Sequence, residues 1–273
     1  MIRGEREAGS SEPDAGAASA RAWSRVRRAW PAVLGTWLLV ACTHDLDLIQ
    51  DPPFAVAATT TGPWASMIYF ARTDSGLIAI DLGWSGAEDV LLGTARELDG
   101  TVEDVRFVFL THAHRDHIAG WPLVRRARFV IGAAEVPPFT GQGGYRGWVP
   151  KLGDELNDYP RPAPDELDLL PIASDTAIAL GRDTVWAFGV PGHTPGSTAY
   201  LFRGILFGGD AINWRPMVGF QGARAEFSDS VAQSRESLRR LWDRLPPERV
   251  RVACSAHGKC GVADSSLRRA TLR

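Results

Sequence analysis

The apolar run from Val105 to Leu110 leads directly into Thr111-His112-Ala113-His114-Arg115-Asp116-His117, and no other stretch restricts the chain as tightly. Val, Phe and Leu in that run read as a buried strand. Four potential metal ligands then fall within six residues at its end. In an extended backbone His112 and His114 point to the same side, so both can meet one ion. A turn afterwards brings Asp116 and His117 round to a second. Imidazole and carboxylate suit zinc and neighbouring first-row metals. The chain has only six His in 273 residues, so the cluster is not a by-product of composition.

Three further segments sit at strand ends or turns: Pro191-Gly-His193-Thr-Pro-Gly-Ser197, Phe207-Gly-Gly-Asp210 and Ser255-Ala-His257-Gly258. Each alone is weak, since a lone His is more often an ordinary core or surface residue and Gly-Gly-Asp is commonly just a turn. Their order and spacing after the cluster give them weight together. Lys+Arg total 30 against Asp+Glu 32, which offers no electrostatic case for nucleic acid as a partner.

Strand-like and helical stretches alternate in two rounds. The first has strands at 54–60, 66–72 and 77–82, an amphipathic helix at 87–98, and strands at 105–110 and 128–131. Residues 137–171 carry many Pro, Gly and Asp with no sustained period and read as a long loop or lid. The second round has strands at 176–180, 184–190, 197–202 and 205–208, a helix at 229–245, a strand at 250–254 and a short last helix. On the 229–245 helix Leu238, Leu241 and Trp242 share one face and Arg235, Arg239 and Arg240 the other. This pattern predicts an α/β fold, two sheets packed together with helices outside.

The set His112-x-His114-x-Asp116-His117, then His193 in Gly-His-Thr-Pro-Gly-Ser, then Asp210, then His257 resembles the metallo-β-lactamase superfamily of hydrolases over about residues 54–262. The resemblance implies a four-layer αβ/βα sandwich of two mixed β-sheets flanked by helices, with the metals at one sheet edge. It implies that His112, His114 and His193 hold one metal, that Asp116, His117 and His257 hold the second, and that Asp210 bridges them. The implied cofactors are two divalent ions, zinc first, with iron or manganese as alternatives. The implied activity is a dinuclear hydrolase whose metal-bound hydroxide cleaves an ester, lactone or amide-type bond of a small-molecule substrate, with Asp116 orienting the nucleophile.

Several branches share this ligand set. The β-lactamases generally lack an acidic ligand at the bridging position, so Asp210 favours lactonase-like and general esterase branches over a β-lactamase. Only 16 residues follow His257, too few for the C-terminal helical region of glyoxalase II. A persulfide-dioxygenase-like, iron-dependent oxidoreductase is the alternative from another class. Asp81 reads either as a partner for a metal-bound imidazole or as a turn carboxylate. Trp84, Trp121, Trp148 and Trp214 read equally as an aromatic rim to the site or as packing beneath the loops.

Ahead of the domain, Arg21, Arg25, Arg27 and Arg28 precede an apolar run from Trp30 to Ala41 that ends at Cys42. A basic flank, a short apolar core and small residues before a cleavage point describe a secretory signal over residues 1–41. Leu39-Val-Ala-Cys42 resembles the bacterial lipobox. The expectation is export to the periplasm or cell surface, Cys42 lipidated, residues 42–53 as a tether, a domain at 54–273, and membrane contact through the anchor only. His44 is expected to be solvated. Cys254 and Cys260 bracket His257, and are read as a disulfide or, equally, with Cys254 as a buried thiol.

Overall fold

A computed structural model of the protein describes residues 54–60, 65–156 and 159–273. The expected signal at 1–41, the tether at 42–53, Cys42 and His44 lie outside the described residues. The elements run β1 (Phe54–Ala58), β2 (Met67–Thr73), β3 (Gly76–Ile80), α1 (Glu88–Arg96), β4 (Val105–Leu110), α2 (Arg115–Ile118), β5 (Arg128–Gly132), α3 (Val136–Phe139), α4 (Trp148–Leu156) and β6 (Asp168–Ile172). They continue with β7 (Thr176–Leu180), β8 (Asp183–Gly189), β9 (Thr198–Phe202), β10 (Ile205–Phe207), β11 (Asn213–Arg215), β12 (Gly219–Gln221), α5 (Val231–Arg244), β13 (Val252–Cys254), β14 (Cys260–Val262) and α6 (Ser265–Ala270). No helix among the described residues is long and apolar enough to cross a membrane.

Two six-stranded sheets carry the fold, ordered β1-β2-β3-β4-β5-β6 and β14-β13-β10-β9-β8-β7. Both are mixed: β3 to β6 run parallel in the first, and β10 with β13 in the second. Alternation along each strand sorts side chains between layers, because successive residues point to opposite faces. Phe70, Leu77, Ala79, Val108 and Leu110 turn outward and meet α1 through Leu91 and Ala95. Their neighbours Tyr69, Ile78, Ile80 and Phe109 turn inward to meet Tyr200, Phe202, Ile205 and Phe207 of the second sheet. Leu201, Leu206 and Ala253 face out again, against Leu238, Leu241 and Trp242 of α5. Three apolar seams thus separate helix, sheet, sheet and helix.

The helices start where the chain supplies partners for free amide groups. Ser230 caps α5 by accepting from the Gln233 amide, and Asp264 caps α6 by accepting from Ser266 and Leu267. As expected from the charge pattern, Arg235, Arg239 and Arg240 are exposed.

The segment 137–171 corrects the sequence reading. It is not one long loop: α3 begins at Val136, α4 occupies Trp148–Leu156, and β6 begins at Asp168 to form an edge of the first sheet. Helix α4 buries none of its residues and leaves Trp148, Leu152 and Leu156 in solvent, so its apolar spacing carries no core signal. Pro171 within β6 is tolerated because the strand is at an edge. The three-residue strands β11, β12 and β14 were also unanticipated, being too short for a period to show.

Every strand that feeds the histidine segments does so from its C-terminal end. Strands β3 and β4 are parallel, and β8, β10 and β13 share one direction, so residues after all five emerge along one rim of the sandwich. The sheets are pinned together there: the Tyr200 hydroxyl donates to the Leu110 carbonyl at 2.9 Å, and the Thr198 amide to the Thr111 carbonyl at 2.8 Å. Phe109 lies fully buried beneath that rim, its ring 5.3 Å from that of Tyr200. Phe109→Ala is expected to cost about 3–5 kcal/mol in urea unfolding; a loss under about 1 kcal/mol would place Phe109 outside the core.

Candidate metal centre

The strand-end residues converge on one buried cluster. His112 Nε2 lies 2.9 Å from His114 Nδ1, and His193 Nε2 lies 3.1 Å from each of them. Not every side of this triangle can be a hydrogen bond. Thr111 Oγ1 donates to Asp81 Oδ2 and therefore accepts from His112 Nδ1–H at 3.1 Å. Ser228 Oγ donates to the Arg224 carbonyl and accepts from His193 Nδ1–H at 3.0 Å. A neutral imidazole carries one N–H, so both Nε2 atoms present lone pairs to each other. A cation between them removes the conflict. Nitrogens held about 2.0–2.1 Å from a tetrahedral ion stand about 3.3 Å apart, close to the separations seen.

A second group lies beside the first. His117 Nδ1 donates to Asp81 Oδ2 at 2.9 Å, and His257 Nδ1 to the Ala65 carbonyl at 2.8 Å, so both rings turn Nε2 inward. His117 Nε2 is 3.5 Å from Asp116 Oδ2 and 3.6 Å from Asp210 Oδ1; His257 Nε2 is 3.3 and 3.2 Å from the same atoms. The other oxygen of Asp210 is 3.6 Å from His193 Nε2, so this carboxylate faces both groups. His114 Nε2, His117 Nε2 and Asp210 Oδ1 are buried without hydrogen-bond partners. Of these, His117 Nε2 and Asp210 Oδ1 face each other across 3.6 Å, and orphaned atoms so placed fit a divalent cation. All seven residues expected from sequence thus meet in one place.

The surrounding residues hold the rings in place. Asp81 is buried in a left-handed conformation (φ 56°), and its carboxylate also accepts the Thr111 amide at 2.8 Å. This joins the end of β3 to the end of β4 and ties His117 to the Thr111–His112 segment. Gly209 (φ 53°) brings Asp210 in; a Cβ there would lie 2.7 Å from Thr111 Cβ. A disulfide joins Cys254 to Cys260, paired across β13 and β14, and closes the loop that carries His257. Cys254 is therefore not a free thiol.

Sequence reading missed Glu135 and Ser228. Glu135 is fully buried, and its carboxylate accepts the Ala113 amide at 2.8 Å and the Gly196 amide at 2.7 Å. It ties the His112–His114 segment to the loop of His193, and burial raises its pKa. The available signal was a lone carboxylate inside the apolar stretch Phe129–Val136. Of the four Trp proposed as a rim, only Trp84 lines the pocket over the cluster. Trp121 is buried with Nε1 donating to the Pro160 carbonyl, Trp148 is exposed, and Trp214 packs beside Gly258.

Charge divides the cluster. Burial holds His112 and His114 well below the usual imidazole range and His193 at about 4. Burial opposes charge on His117 too, but Asp116 and Asp81 outweigh it and push it up to about 10. His257 is likewise raised, as Asp210 and Asp116 overcome its burial. Without metal, protons on these two rings therefore balance the buried carboxylates. Two outcomes are expected. Loading with zinc at pH 7.5 releases protons, measurable by calorimetry in buffers of differing ionisation enthalpy. The metal-free protein also loses stability as pH rises from about 6.5 toward 10, because only the folded chain holds the His117 proton there. Metal uptake without proton release would contradict this charge balance.

Comparison with known proteins accords with this geometry. The model of the metallo-beta-lactamase superfamily matches residues 61–252. The chain is 33% identical over 109 residues to a hydroxyacylglutathione hydrolase of Anaeromyxobacter dehalogenans (strain 2CP-C), covering 40% of this chain and 33% of that protein. It is 27% identical over 162 residues to the probable metallo-hydrolase YflN of Bacillus subtilis (strain 168), covering 53% of this chain and 60% of that one. The chain thus spans less than two thirds of the length of either relative. Among solved structures, the subclass B3 metallo-beta-lactamase BJP-1 of Bradyrhizobium japonicum superposes with a TM-score of 0.54 at 24% identity, over 74% of this chain and 75% of that one.

Proposed function

The chain belongs to the metallo-beta-lactamase superfamily, and from that premise we propose that it is a dinuclear zinc hydrolase cleaving an ester, lactone or amide-type bond of a small molecule. The observation that carries the reading is Asp210, whose two oxygens face the His193 group and the His117–His257 group. His112, His114 and His193 would hold one ion, Asp116, His117 and His257 the other, with Asp210 between them. Bound there, such ions lower the pKa of water toward neutrality and polarise a substrate oxygen.

The protein's own residues do the rest. Thr111, Asp81, Ser228 and the Ala65 carbonyl fix four of the five rings with Nε2 directed inward, so binding requires little rearrangement of the rings. Asp116 lines the pocket with its carboxylate held well below the usual range, where burial is outweighed by His117 and His257. It is thus an ionised acceptor able to orient a water. No Ser or Cys nucleophile is needed. An acidic residue in the bridging position supports an esterase or lactonase reading over a β-lactamase.

Metal analysis of purified protein, with lactone, ester, thioester, β-lactam and phosphodiester substrates, tests this. About two zinc ions per chain are expected, with hydrolysis of a lactone or ester. His112→Ala and Asp116→Ala are each expected to reduce turnover at least about 10³-fold. A single iron with no hydrolysis would overturn the reading, as would full activity in either variant.

Export with a lipid anchor at Cys42 completes the proposal. The disulfide between Cys254 and Cys260 supports it, since such bonds persist in oxidising compartments. Cys42→Ser is expected to move the protein from the membrane to the soluble fraction of the producing cell; unchanged membrane association would contradict the anchor.

A further inference from the structure

A pocket open to solvent lies over the cluster. Its wall mixes apolar and charged groups: Trp84, Val149, Pro150 and Phe227 with Arg115 and Arg224. Most of the charge there is matched. Asp154 pairs with Arg161 at 2.8 Å, Arg224 pairs with Glu226, and Asp116 and Asp210 belong to the metal centre. Arg115 is the exception, as no ion pair among the described residues includes it. It stands in sequence between His114 and Asp116, so its charge lies beside a site built for cations.

Its side chain is nevertheless held in a fixed slot. The guanidinium carbon sits 5.0 Å from the centre of the Trp84 ring. On the α4 side Nη1 donates to the Gly153 carbonyl at 3.1 Å. A Cβ at Gly153 would come within 3.1 Å of Cζ and of Nη1, so the group packs directly against the helix backbone. One of five N–H donors is used in that bond, and the residue is only half-buried, facing the pocket. A planar guanidinium that is immobilised, lacks a carboxylate and lies beside the reacting centre is a receptor for a carboxylate, which it can meet with two parallel hydrogen bonds.

We propose that Arg115, in its slot between Trp84 and Gly153, binds a carboxylate on the substrate, and that the substrate class is therefore an ester or lactone bearing a carboxylate on an apolar body. The apolar body would lie against Trp84, Val149 and Phe227. What the pocket turns over rests on the hydrolase reading; what it binds does not.

Two esters with one leaving group provide the test: the p-nitrophenyl monoester of glutarate, which carries a free carboxylate, and p-nitrophenyl valerate, which does not. The zinc-loaded protein should favour the glutarate monoester by about tenfold or more in kcat/KM, a charge-assisted hydrogen bond being of that order. Arg115→Ala should collapse the ratio toward one, mainly through the KM of the glutarate monoester, and Arg115→Lys should restore part of it. Gly153→Ala keeps Arg115 but crowds its slot, favours the helix, and should also lower the ratio. In parallel, phenylacetate is titrated calorimetrically into the zinc-loaded protein, and Arg115→Ala should weaken it about tenfold. Equal kcat/KM for the two esters would overturn the proposal, as would equal phenylacetate affinity with and without Arg115. If neither ester is hydrolysed, the phenylacetate titration alone decides the carboxylate site, and the substrate panel above decides the hydrolase reading.

Discussion

Nitrogen lone pairs forced to within about 3 Å of one another repel, and a fold that holds them there must supply a compensating charge. His112 and His193 stand in this relation, with His114 beside them: Thr111 and Ser228 occupy the outer N–H groups of the first two rings and so leave no proton between their Nε2 atoms. Two carboxylates beside them, Asp210 buried and Asp116 partly so, raise the same demand from the other side. Much of the rim follows from it. Asp81 adopts a left-handed backbone to reach Thr111 and His117 at once, Glu135 clamps two loops through their amides, and a disulfide closes the loop of His257.

The sheets exist at their present separation for the same purpose. Each contributes part of the cluster, so neither half could form it alone: His112 to His117 follow β4, while His193, Asp210 and His257 follow β8, β10 and β13. The inner seam of Tyr69, Ile78, Phe109, Tyr200 and Phe207 sets how far apart those rims lie. A change of volume in that seam would be felt at the ligands, because close-packed interiors transmit strain.

The sequence made the residues of the cluster legible because they are rare residue types, clustered or framed by glycines at strand ends. The layered fold was legible because strands buried on both faces and the α5 stripe carry a clear period. What escaped detection lacked such signals. Glu135 acts through backbone amides that any residue could provide, so its partners Ala113 and Gly196 leave no trace in side-chain type. Helix α4 turns Trp148, Leu152 and Leu156 to solvent, which inverts the usual meaning of an apolar stripe. Arg115 lies in plain view inside the histidine cluster, yet its role depends on Gly153, 38 residues away in sequence.

Crystals of the zinc-soaked protein, measured at the zinc absorption edge, would test the central claim most directly. Two anomalous peaks are expected, one within bonding distance of His112 Nε2, His114 Nδ1 and His193 Nε2, the other beside Asp116, His117 Nε2 and His257 Nε2, with an Asp210 oxygen toward each. A single peak, or peaks away from these atoms, would contradict the account.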